Sequence, residues 1–67
     1  MQDFNPDISV AEALVGLPVA DVELSLILST LRQTNGNRTH AAAMLGISIR
    51  TLRNKLKDYS ERGFDIP

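Results

Sequence analysis

Arg50, Arg53, Asn54 and Lys57 recur at intervals of three and four, so a helix through them presents two guanidiniums, an amide and an ammonium on one face. That set suits a polyanion with readable edges. An Arg fork grips guanine O6 and N7 together, Asn suits adenine, and Lys meets a phosphate as a point charge. A set of solvated cations is the plainer alternative. Ser48, Ile49 and Thr51 occupy the start of the same stretch, and the two hydroxyls suit a phosphate or a base, although capping alone accounts for most of Ser48. Lys55 lies toward the flank. Upstream, Arg38 and Thr39 follow Asn37, and in a paired-helix unit that helix start lies near a phosphate backbone. For His40, a phosphate contact and simple exposure are equally good accounts. Nothing points to catalysis: Ser, His and Asp occur, but no spacing sets up a nucleophile, a base and an orienting acid. One histidine and no cysteine leave neither a zinc site nor a disulfide, and no cofactor is expected.

The elements that must hold these groups lie within residues 36–57. Asn37 is a strong N-cap type, able to accept from the N–H of Thr39 or His40. Ala41, Ala42 and Ala43 with Met44 and Leu45 make a short, slim helix. Gly46 falls where the chain leaving that helix needs positive φ. Ser48 restarts it as a second N-cap, and Ile49, Leu52 and Leu56 give the second helix its buried side. A slim helix, a three-residue turn and a basic helix outline a helix-turn-helix.

Sixty-seven residues make one small domain near the lower limit for a self-sufficient core. With no disulfide or metal as a staple, association of two chains is the natural source of further stability. No apolar run approaches a membrane span and no secretory signal is visible, which points to an intracellular protein. The net charge of −1 argues against a nucleic-acid partner only as an average. Between Leu24 and Lys57 there is no acid, yet Arg32, Arg38, Arg50, Arg53, Lys55 and Lys57 all lie there. A phosphate backbone senses that local field.

Residues 1–18 read as an N-terminal linker segment and 19–67 as the folded unit. Residues 1–7 are polar and loosely held. Within 8–16, Ser9 with Glu12 fits a capping box and Gly16 a stop, so one turn of helix and an extended apolar segment both fit. Pro18 then introduces the longest helix, about Val19 to Thr34, with Asn35-Gly36 closing it. At about 100° per residue, Leu24, Ile27, Leu28 and Leu31 form one apolar stripe and Val19, Val22 and Leu26 a second. One stripe covers the helix pair. The other needs a partner, and a second copy of the chain is favoured over the N-terminal segment, with Val19, Val22, Leu24, Leu26 and Leu28 as the candidate dimer surface. At the far end the basic helix runs out to Gly63, Tyr59 reads as a core edge, and Phe64 or Ile66 is placed to fold back.

Gly36-Asn37-Arg38-Thr39-His40-Ala41-Ala42, Leu45-Gly46-Ile47-Ser48, Arg50-Thr51-Leu52 and Lys55-Leu56 together resemble the Fis-type helix-turn-helix that ends the NtrC class of bacterial enhancer-binding activators. Val22-Glu23, Ile27 and Leu31 look like that family's dimerising helix. The resemblance spans about residues 15 to 60, and the wording of the motif is most like the flagellar regulators of the FlbD and FlrC type. It implies an all-α domain, dimeric through the long helix, that binds a pseudo-palindromic enhancer in double-stranded DNA in the bacterial cytoplasm and nucleoid. Full-length members of the class carry a receiver domain, as in two-component systems, and an AAA+ ATPase that acts on sigma-54 RNA polymerase. Neither is present here. One departure matters: many members place a base-reading Arg directly after the Ser of the turn, where this chain has Ile49. Either Arg50 takes over guanine recognition, or Ile49 touches a thymine methyl, or Ile49 packs inward.

Three functions follow as expectations. The first is sequence-specific DNA binding as a homodimer, as the enhancer-binding domain of a sigma-54-dependent activator. The second is a Fis-like architectural protein that bends DNA with little sequence preference. The third is a dimerisation module without DNA binding.

Overall fold

The first three residues of the polar N-terminal stretch lie outside the described residues; this computed structural model describes residues 4–67, the Val10 side chain excepted. The elements run α1 (Ile8–Ala11), a 3₁₀ turn (Glu12–Leu14), α2 (Val19–Gln33), α3 (Arg38–Leu45) and α4 (Ile49–Glu61), with no strand among the described residues. The all-α expectation holds. Asp7, not Ser9, caps α1: its carboxylate accepts from the Ser9 N–H at 3.0 Å and from Ser9 Oγ at 2.6 Å. The Ser9 hydroxyl is therefore committed as a donor, which replaces the Ser9–Glu12 capping box.

Pro18 stands at the N-cap of α2, where no backbone donor is needed, and Asp21 and Arg32 complement the two ends of the helix dipole. The helix stops at Gln33, with Thr34 as its cap. All three long helices then end the same way. Gly36 N–H donates to Leu31 O and Asn35 N–H to Arg32 O; Ile47 N–H donates to Ala42 O and Gly46 N–H to Ala43 O; Phe64 N–H donates to Tyr59 O and Gly63 N–H to Ser60 O. These pairs are Schellman closures, which satisfy the last carbonyls of each helix and turn the chain sharply.

Gly46 carries the turn between α3 and α4 at φ 71°. A Cβ added there would meet nothing within 4 Å, so any penalty is one of backbone conformation alone. Gly46→Ala should therefore cost about 1–2 kcal/mol, lowering the thermal midpoint by roughly 4–8 °C for each kcal/mol in a domain of this size. A circular-dichroism melt checks it, and an unchanged midpoint would mean the turn relaxes to another conformation.

The core is shared by three helices. Ile27 and Leu31 from α2, Ala41 and Ala42 from α3, and Leu52, Leu56 and Tyr59 from α4 are buried, with Leu31 and Leu52 fully so. Each such leucine contributes about 1.5–3 kcal/mol over leaving it in water. The alanines explain the slimness of α3: with two methyl groups as its buried face, its backbone lies close to both neighbours. Thr30 is buried beside them, its hydroxyl donating to Leu26 O at 2.7 Å. The stripes on α2 separate as expected. Leu24 and Leu28 pack partly buried against the core, whereas Val19 and Leu26 remain 81% and 57% exposed. The N-terminal segment leaves them uncovered. Leu14 and Leu17 instead form the far wall of an apolar groove beside Val22, Ser25, Leu26 and Ser29.

Candidate nucleic-acid interface

Asn37 caps α3 by accepting from the His40 N–H at 3.0 Å, and Ser48 caps α4 by accepting from the Thr51 N–H at 3.0 Å. The two caps fix where each helix begins and hence the register of its outer face. The Ser48 hydroxyl also donates to Thr51 Oγ1 at 2.9 Å, so both hydroxyls are engaged with each other. Ile49 is half-buried against the core, which is the inward-packing alternative. Arg50, Arg53, Asn54 and Lys57 all stand exposed, within about 100° of helical arc. Thr39 and His40 are exposed at the start of α3. Arg38 is half-buried, with Nη1 donating to Gly36 O at 2.9 Å.

The cations divide into two groups. Lys55 pairs with Glu23 at 2.5 Å, tying α4 to α2, and Arg62 pairs with Asp58 at 3.5 Å within α4. The hydrogen bond and charge of Glu23 raise the Lys55 pKa above the usual lysine value. Tyr59, beneath them, has its phenol pushed above the ordinary tyrosine range, chiefly by burial. Arg38, Arg50, Arg53 and Lys57 have no carboxylate partner among the described residues. Their charge is available to an outside anion.

Arg38, Arg53 and Lys57 converge on a shared concavity of about 340 Å³, with Leu56, Ser60 and Ile66 completing its lining. Ser60 was absent from the expected site, although it continues the Arg53–Lys57 row at helical spacing and is legible on that ground. Lys55 turns away from this face. Among the described residues there is no cluster of His, Asp or Glu able to hold a metal, and no helix long and apolar enough to cross a membrane.

Two capped helices at a glycine turn, with an unpaired basic face on the second, define a helix-turn-helix unit of the Fis type. The chain belongs to the Fis family of bacterial regulatory proteins, whose model matches residues 18–59. It is 53% identical to the transcriptional regulatory protein FlbD of Caulobacter vibrioides over 73 aligned positions, which cover 92% of this chain and 16% of that protein. It is 41% identical to a putative Fis-like DNA-binding protein of Xylella fastidiosa, over 73% of this chain and 54% of the relative. Against the DNA-binding protein Fis of Vibrio cholerae the identity is 48%, over 69% of this chain and 47% of the other. The chain thus spans about half the length of the two Fis-like relatives and a small part of FlbD. No solved structure matches it.

Proposed function

We propose that this chain is the DNA-binding unit of a bacterial transcriptional regulator of the sigma-54 activator type, non-enzymatic in itself, acting as a homodimer on double-stranded DNA. The carrying observation is the exposed Arg50, Arg53, Asn54 and Lys57 face on the second helix of the pair, with no carboxylate bonded to it among the described residues. The names of the relatives, a transcriptional regulatory protein and DNA-binding proteins, support the same reading. Residues 19–67 form the binding unit and 1–18 the linker to whatever precedes it. In a full-length activator the preceding part would be an AAA+ domain working on sigma-54 RNA polymerase, in the bacterial cytoplasm at the nucleoid.

The roles follow from chemistry. Arg50 and Arg53 read base edges, and Asn54 reads adenine or meets a phosphate. Lys57, Arg38 and Thr39 hold the backbone, while Ser48, Ile49 and Thr51 shape the helix start close to the groove. Ile49 packs inward, so guanine recognition passes to Arg50. In a twofold dimer, two α4 helices enter successive major grooves on one face, with half-sites about 10 bp apart or slightly more.

The test is a fluorescence-anisotropy titration with a duplex enriched from a random pool by this chain, beside a scrambled duplex at matched salt. Arg50→Ala should reduce discrimination between them by about 1–3 kcal/mol. Lys57→Ala should weaken both alike and flatten the salt dependence by about 0.9 in slope. Equal wild-type affinity for the two duplexes would favour an architectural binder. Equal losses on both for Arg50→Ala would remove it from the readers.

A further inference from the structure

The residues after α4 do not simply trail away. Tyr59 O and Ser60 O accept from Phe64 N–H and Gly63 N–H, which turns the chain back along the bundle. Arg62 lies over the Phe64 ring at 5.4 Å, and Ile66 packs partly buried against the core. The carbonyl oxygen of Pro67 stands 3.5 Å from where a Cβ on Gly36 would sit, at the turn just before α3. That same Gly36 accepts the Arg38 Nη1 hydrogen bond on its carbonyl. The strap therefore reaches the backbone group that holds Arg38, and Ile66 lines the concavity into which Arg38, Arg53 and Lys57 converge. This segment lies beyond the residues matched by the family model.

We propose that residues 64–67 are a positioning strap, anchored by Ile66, which holds Arg38 beside Arg53 and Lys57 so that the three form one seat for a single DNA backbone phosphate. The proposal rests on the DNA reading above. Arg38 and the Arg53/Lys57 pair belong to different helices, and a long Arg side chain left free would spread its charge over many rotamers. The Gly36 carbonyl takes one of its five donors and leaves the rest of the planar fork for a phosphate oxygen. No acid lines the concavity to compete. Ser60 supplies a hydroxyl at its edge.

The experiment measures affinity for a random-sequence duplex as a function of potassium chloride, for the wild type, Ile66→Ala, Arg38→Ala and the double variant, with Ile66→Leu as the conservative replacement. Each single substitution should weaken binding a few-fold and reduce the salt slope by about 0.9, the loss of one phosphate contact. The double variant should be no worse than Arg38→Ala alone, and Ile66→Leu should restore the slope. Circular-dichroism melts of all variants show that each is folded at the assay temperature. An Ile66→Ala slope equal to the wild type's, or a double variant losing the sum of both effects, overturns the strap's role while leaving the DNA reading standing. A wild type that binds no duplex at all rejects that reading and the phosphate seat with it.

Discussion

Leu52→Ala is expected to remove most of the stability of the folded chain. Leu52 is fully buried at the centre of the cluster formed by Ile27, Leu31, Ala41, Ala42, Leu56 and Tyr59. Truncation deletes the buried methyl groups and leaves a cavity, at a cost of about 2–5 kcal/mol depending on how far the surroundings can collapse. Here they collapse poorly. Ala41 and Ala42 have no rotamers with which to refill the space, so closing it requires moving α3 as a body. The cost therefore belongs in the upper half of that range. Domains of this class hold only about 5–15 kcal/mol in total, and a chain this short sits toward the low end. A urea titration followed by circular dichroism should show a much lower midpoint with the slope retained. A loss below about 1 kcal/mol would mean that this leucine is not the keystone of the three-helix contact.

The parts of this outline that were readable from sequence are those written in a few adjacent residues. Asn37, Gly46 and Ser48 announce their roles because a cap or a left-handed residue is settled by bonds to the next turn, and each takes the expected geometry. The burial of Leu52, Leu56 and Tyr59 and the exposure of Arg50, Arg53, Asn54 and Lys57 follow from helical spacing alone. Ile49 was readable only as a set of alternatives, because its position faces both the core and the groove. The Asp7 cap was hidden by a neighbouring Ser9–Glu12 spacing that fits a capping box equally well, and only the direction of the Ser9 hydroxyl separates the two. Glu23–Lys55 and the approach of Pro67 to Gly36 join residues distant in the chain. No local pattern encodes such pairs. They depend on how α2 and α4 are placed by the core, and that placement emerges only once the helices are packed.

Val19→Glu combined with Leu26→Glu should separate the proposed dimer and, with it, most of the DNA affinity. These two side chains are 81% and 57% exposed on the stripe of α2 that faces away from the core. Beside them lies the apolar groove of about 330 Å³ walled by Leu14, Leu17, Val22 and Leu26. An apolar stripe left in water on so small a domain is the kind of surface a self-complementary twofold contact covers. Glutamates there would bring four carboxylates into one desolvated interface, where neither charge nor shape can be accommodated. Because neither residue contributes to the core, the monomer should remain folded, with its unfolding free energy changed by roughly 0.5 kcal/mol per site. The effect on DNA is expected to be far larger. Two linked recognition helices bind the second half-site at high effective concentration, and losing the link costs about 10²–10⁴ in affinity without touching any DNA contact. Sedimentation should show the wild type as a dimer at micromolar concentration and the double variant as a monomer, while anisotropy on a two-half-site duplex follows the loss. A variant that remains dimeric with undiminished affinity would move the interface elsewhere on α2, toward the half-buried Leu24 and Leu28. A wild type that sediments as a monomer would leave each basic helix to find its groove alone.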